Sequence, residues 1–192
     1  MTTAANTREQ IMDRAYELML QRGMNGFSYR DISEPLGIKN AAIHYHFPNK
    51  MDLIKALVDE TVQMARRSTA EFMAYGGKAR PQLEGLFQYA MHQCECGRPI
   101  CLAGSLAVAY DDLPDDIKQA SDRFMKDSQK WLTKVLDVGR QQGEFNFSGD
   151  PGIKAMSIIA AVQGARQLAR VNGHEILPKL FQQIRLDLGI TD

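Results

Sequence analysis

The chain has 192 residues, 44% hydrophobic and 24% charged, with 23 Lys and Arg balanced by 23 Asp and Glu. This composition excludes a chain too polar to bury a core. The zero net charge excludes a protein that coats nucleic acid nonspecifically, but a compact reader needs only one local basic face. No run approaches the roughly 18 to 20 consecutive apolar residues of a membrane span. The polar stretch from Met1 to Arg14 lacks the apolar segment of a signal peptide, so the expected location is the cytoplasm with no membrane partner.

Strand patterns are nearly absent, and helical spacing runs through most of the chain. Thr7 is a candidate N-cap for a first helix whose buried face carries Ile11, Ala15, Leu18 and Met19. Gly23 ends that helix, and Asn25-Gly26 makes a turn. Ser28 caps a second helix, with Asp31 three positions on, where a carboxylate favours a helix N-terminus. Ile32 and Leu36 form its apolar face. Pro35 removes a backbone donor and should weaken or shorten it. Gly37 makes a tight turn into a very short third helix, Asn40 to His46, which Pro48 stops. A fourth helix starts near Lys50, with Leu53, Leu57, Thr61 and Met64 as its buried stripe, and runs to about Tyr75 before Gly76-Gly77. Pro81 opens the next element.

Further helices are expected at about 81–97, 99–110, 114–142, 150–172 and 174–188, punctuated by Gly143 and by Gly149-Asp150-Pro151. The expected fold is all-α with about nine helices. A three-helix DNA-binding module takes residues 1–50. The fourth helix connects it, as a stiff arm, to a helical bundle over 51–192. In the long helix, Ile117, Phe124, Met125, Trp131, Leu132, Val135, Leu136 and Val138 face inward, and Asp115, Asp116, Lys118, Asp122, Arg123, Asp127 and Lys130 face out.

A short helix, a glycine turn and a second short helix cannot bury enough surface alone. They pack on a first helix, and the last helix then projects into a major groove. Its exposed positions would be Lys39, Asn40, Ala41, His44 and Tyr45, with Ala42, Ile43 and Phe47 facing inward. Lys39 and Asn40 have the reach for base edges or phosphates. Tyr45, His46 and Lys50 suit phosphate oxygens, which position a reader without specifying sequence. Ser28, Tyr29 and Arg30 at the start of the second helix complete the DNA-facing candidates.

The stretch from Phe27 to Lys50, with its Ser-capped helix, glycine turn, small-residue start, His44-Tyr45-His46-Phe47 and Lys50, resembles the DNA-binding signature of the tetracycline-repressor (TetR) family. It departs from the family pattern at His44, Asn49 and Pro35. The resemblance implies that Tyr45, His46 and Lys50 bind the DNA backbone and that Phe47 locks the third helix in place. It also implies a homodimer on double-stranded operator DNA, and a repressor released by a small-molecule effector.

In the last two helices, Ala155, Ala160, Ala161, Gly164, Ala165 and Ala169 allow close approach. Ile158, Ile159, Val162, Leu168, Leu177, Leu180, Phe181 and Ile184 supply apolar area. They read either as an internal hairpin or as a twofold four-helix dimer face. The resemblance favours the dimer, whose two readers would lie about 34 to 36 Å apart.

For the effector, the concentration of aromatic and Met side chains marks Phe87, Met91, Tyr110, Phe124 and Trp131, together with Tyr89, Met125 and Met156, as candidate cavity lining. Cys94, Cys96 and Cys101 lie within eight residues, beside His92. They read as buried small side chains, as a thiol sensor, or as a metal-responsive cluster. Cys101, after Arg98-Pro99 and at a helix start, is the strongest thiol candidate. No catalytic residue, cofactor or metal site is assigned. A thiol enzyme built on Cys101 is a remote rival that lacks a nucleophile elbow or phosphate loop, and an effector-free architectural DNA binder is another.

Overall fold

A computed structural model describes residues 4–74 and 78–191, and every described regular element is helical. In chain order the helices are α1 (Ala4–Arg22), α2 (Tyr29–Leu36), α3 (Asn40–His46), α4 (Lys50–Ala74), α5 (Ala79–Glu95), α6 (Leu102–Val108), α7 (Asp115–Gln141), α8 (Pro151–Asn172) and α9 (Ile176–Asp187). A 3-10 turn spans Tyr110–Asp112 between α6 and α7. Tyr75, Gly76 and Gly77 lie outside the described residues.

The chain divides into two compact units. One takes residues 1–64 and 100–122, the other 65–99 and 123–192, so the dividing lines fall inside α4, between α5 and α6, and inside α7. The unit that holds α1 to α3 therefore extends beyond the first fifty residues, because α6 and the start of α7 share its core. Ile11, Ala15, Leu18 and Met19 of α1 are fully buried with Ile32, Ile43, Phe47, Leu53, Ile54 and Leu57, and with Leu102, Leu106, Leu113 and Ile117. Two backbone ties bind α6 to this unit. The Met24 N–H donates to the buried Ser105 Oγ at 2.9 Å, and the Ile100 N–H donates to the Leu20 carbonyl at 3.2 Å.

Three local expectations need correction. Thr7 does not cap α1, because the helix already begins at Ala4. Met64 is 58% exposed, so the inner stripe of α4 keeps Leu53 and Leu57, gains Ile54 and Val58, and stops short of Met64. The sixth helix is shorter than 99–110, since Pro99 and Ile100 precede its N-cap, Cys101. Pro35 sits in the last turn of α2, which ends one residue later at Leu36, with Gly37 as its C-cap. Gly37 adopts φ 63°, a left-handed conformation open to glycine at no side-chain cost.

The second unit has its own core. Leu83 and Phe87 of α5, Leu132, Val135 and Leu136 of α7, Ile158 and Val162 of α8, and Leu177, Phe181 and Ile184 of α9 are buried together. The Phe87 and Phe181 rings stack at 4.4 Å. Arg185 grips Glu84 with two parallel hydrogen bonds of 2.8 and 2.6 Å, the strong fork geometry for this pair. That grip holds the Glu84 carboxyl below its ordinary range. Asp150 caps α8 by accepting the Ile153 N–H at 2.9 Å, with Pro151 at the first helical position.

Candidate nucleic-acid interface

The entry to α2 is held by reciprocal hydrogen bonding. The Asp31 carboxylate accepts the Ser28 N–H at 2.8 Å and the Ser28 hydroxyl at 2.6 Å, and Arg22 pairs with it at 2.9 Å. The Ser28 hydroxyl, the Ser28 N–H and Arg22, in that order, push the carboxyl down to about 2. With α2 set, Gly37 turns the chain and α3 begins at Asn40.

Helix α3 is too short to stand alone, and tertiary contacts seat it. Ile43 is fully buried and Phe47 is 3% exposed. The Phe47 carbonyl accepts the Tyr29 hydroxyl at 2.8 Å, which fastens the end of α3 to α2. Burial raises the Tyr29 phenol, and Asp52 adds to the rise, so this donor keeps its proton. On the other side Lys39, Asn40, Ala41, His44 and Tyr45 are exposed, Tyr45 by 82%. Ala42 is half-buried.

The remaining DNA-facing candidates differ in their freedom. His44 is exposed, and its Nδ1 lies 3.1 Å from the Pro48 carbonyl. A carbonyl only accepts, so Nδ1 is the donor in this contact. The His46 ring is half-buried beside Tyr45 and Phe47, at 5.1 and 6.4 Å. Arg30 is exposed and paired with Glu34 at 2.6 Å, which raises its pKa. Lys50 is half-buried, donates to the Phe27 carbonyl and sits over the Phe27 ring at 4.2 Å. Burial lowers its pKa. Sequence reasoning missed Arg8, whose exposed guanidinium lies over the Phe47 ring at 5.2 Å. Its position shows only once α1 is packed against the end of α3.

The effector candidates do not form one cluster. Phe87 is buried in its stack with Phe181. Met91 and Trp131 pack partly buried against the second unit's core, and Phe124 is half-buried. Tyr110 belongs to the first unit, is 43% exposed, and has the Lys118 ammonium 5.6 Å from its ring. Tyr89 and Met156 are exposed. The cysteines occupy three environments. Cys94 is buried, and desolvation pushes its thiol up. Cys96 is exposed, with Sγ 3.7 Å from His92 Nε2. Cys101 is the N-cap of α6, where its half-buried Sγ accepts the Gly104 N–H at 3.1 Å.

Among the described residues no three His, Cys, Asp or Glu side chains gather to hold a metal ion, and no helix is long and apolar enough to cross a membrane. An open cleft of about 700 Å³ lies between α7 and α8, lined by Lys126, Lys130, Lys134 and Arg140 with Asp137 and Asp150. None of the effector candidates borders it.

A short helix seated by Ile43 and Phe47, with a basic and aromatic outer face, defines a helix-turn-helix DNA reader. Residues 11–57 match the family described as bacterial regulatory proteins, tetR family. Residues 79–184 match the tetracyclin repressor-like C-terminal domain. The regulator TtgR of Pseudomonas putida is 36% identical over 84% of this chain and 79% of its own. The repressor NemR of Escherichia coli is 24% identical over 88% and 87%. A TetR-family regulator from Agrobacterium tumefaciens has the same fold, with a TM-score of 0.88 and 30% identity over 99% of this chain and 100% of that one. The chain belongs to the TetR family, and it is a ligand-responsive, DNA-binding transcriptional repressor.

Proposed function

We propose that the protein grips a palindromic operator as a homodimer, with one α3 in the major groove of each half-site, and that a small apolar or electrophilic effector releases it in the cytoplasm. Residues 1–50 carry the reader, α4 connects, and the rest of the chain carries sensing and self-association. The observation that supports this best is the division of α3. Ile43 and Phe47 are buried while Lys39, Asn40, Ala41, His44 and Tyr45 are exposed.

Lys39 and Asn40 read base edges, and Ala41 lets the helix approach closely. Tyr45, His46, Ser28, Arg30 and Arg8 take phosphates. Tyr29 and Lys50 act chiefly by position, since each is tied to a backbone carbonyl of the module. Binding to a duplex from the gene's own upstream region, followed by fluorescence anisotropy, tests the reading. Tight, salt-dependent binding that a scrambled duplex of equal length does not share is expected. Equal affinity for both duplexes sinks it. Lys50→Ala should lower reader stability and weaken binding to every sequence, while the salt slope stays close to that of the wild type.

The homodimer is supported by the outer face of α8. Ile153 (61% exposed), Met156, Leu168 and Val171 (84%) lie at helical spacing with the exposed Ala160 and Gly164, and Leu186 of α9 is 55% exposed. A Cβ built at Gly164 would meet nothing within 4 Å, so the strip between these apolar residues is free of its own chain. Ala155, Ile158, Val162 and Ala165 form the opposite, buried face with Leu177, Phe181 and Ile184. The hairpin reading takes the inner face of α8, and the dimer reading takes the outer one.

A second reading, a thiol-responsive trigger at Cys101, is favoured by the hydrogen bond from the Gly104 N–H to its sulfur. A donor at a helix start strengthens when the acceptor becomes a thiolate. Under this reading Cys101→Ser keeps operator binding but no longer releases DNA on treatment with N-ethylmaleimide. Unchanged release removes Cys101 from the mechanism.

A further inference from the structure

Arg166 is the one charged residue among the described residues that counts as buried, at 5% exposure on the inner face of α8. An arginine stays protonated in any protein environment. Its Nη2 donates to the Arg98 carbonyl at 2.9 Å, in the turn that follows α5, and the Cys94 thiol feels its charge. Its Nε–H is buried without an acceptor. Among the described residues no carboxylate pairs with it. The thiol beside it is not the missing anion, because burial pushes Cys94 up against the pull of Arg166 and holds it neutral.

A carbonyl and a thiol give this cation partial compensation. A cation near a helix C-terminus gains only a fraction of what an unpaired buried charge costs. A buried guanidinium normally has an anion in fork geometry, and here the Nε–H meets no acceptor. The surroundings are apolar. Cys94, Val162 and Ala165 belong to the second unit's core, with Met91 and Trp131 partly buried against it. A carboxylate is enough to meet the charge, and an apolar body adds burial to it.

We propose that Arg166 is the anchor of a carboxylate-binding site in the sensor. The ligand class is a small organic acid whose carboxylate accepts the Arg166 Nε–H and whose apolar part lies against the core of the second unit. This names the chemistry of the effector, and it rests on the ligand-responsive reading only for its consequence on DNA.

The test uses the full-length protein without DNA, at constant ionic strength. Formate is the probe, being the smallest carboxylate, and formamide is its neutral isostere. A saturable rise in melting temperature is expected with formate and none with formamide. The buried Nε–H signal in a 15N spectrum, assigned by its absence in Arg166→Lys, should shift along the same curve. Arg166→Lys keeps the charge and part of the response. Arg166→Met weakens half-saturation about tenfold or more, the worth of a charged hydrogen bond. No saturation in the wild type, an equal response to formamide, or an unmoved Nε–H signal overturns the site, even if Arg166→Met fails to fold. Each of these leaves the α3 reading untouched, which fails only if operator binding itself is absent.

Discussion

Helices α3 and α8 each bury one face and expose the other, but the exposed faces differ in kind. The outer face of α3 carries Lys39, Asn40, His44 and Tyr45, while that of α8 carries Ile153, Met156, Leu168 and Val171. A polar and aromatic surface loses little by staying wet and gains when phosphates and base edges arrive. An apolar strip gains by being covered, at about 25 cal/mol for each Å² removed from water. One outer face suits a polyanion, and the other suits an apolar partner, which we propose is a second copy of the chain. The buried faces hold the fold; the exposed faces choose the partner.

The sharpest way to break this comparison is to attack a buried face. Phe47→Ala should cost about 3–5 kcal/mol through lost burial and a residual cavity, and operator binding should fail with it. Urea denaturation measures the loss, and a cost below about 1 kcal/mol contradicts the seating of α3. Next in size is the outer face of α8. Leu168→Glu with Val171→Glu should weaken self-association on the order of a hundredfold in sedimentation equilibrium, with helicity kept. Ile158→Glu, on the inner face of the same helix, should instead unfold the second unit. An unaltered dimer in the double variant moves the interface elsewhere.

A smaller effect is expected at Tyr45. Tyr45→Ala should lower operator affinity about tenfold and leave stability within about 0.5 kcal/mol, because the ring is 82% exposed. Loss of stability in place of affinity would make Tyr45 a packing residue. The smallest expected effect is a pH dependence at the entry to α2. The Asp31 carboxyl titrates at about 2 in the folded chain, below its ordinary 3.8. Its stabilisation is present above the unfolded value and is lost as pH falls toward the folded one. Asp31→Asn should therefore lower the melting temperature at neutral pH and converge with the wild type near pH 2. A constant difference down to that pH contradicts the hydrogen-bonded carboxylate.

Much of the reader is legible from local pattern alone. Ser28 with Asp31, Gly37, the bounds of α3 and the inward turn of Ile43 and Phe47 follow from capping, glycine and helical spacing, all of which act over a few residues. Thr7 misled because a good N-cap residue is also tolerated inside a helix when tertiary packing pays for it. Lys50 reads as a phosphate ligand in the sequence, yet its ammonium lies on Phe27, twenty-three residues away in the chain. The position of Arg8 over Phe47 has no local signal at all.

The second half divides the same way. Periodicity is enough to locate α5 to α9 and to mark α8 and α9 as apolar on more than one side, because a helix repeats its own geometry every few residues. It cannot say which side meets Leu177 and Phe181 and which stays open. Nor can it separate three cysteines that stand within eight residues into a core thiol, an exposed thiol and a helix cap. The isolation of Arg166 has the same origin, since a charge is unpaired only with respect to every element packed around it. Local rules decide the helices; long-range contacts decide which faces and which charges are left to be met by something else.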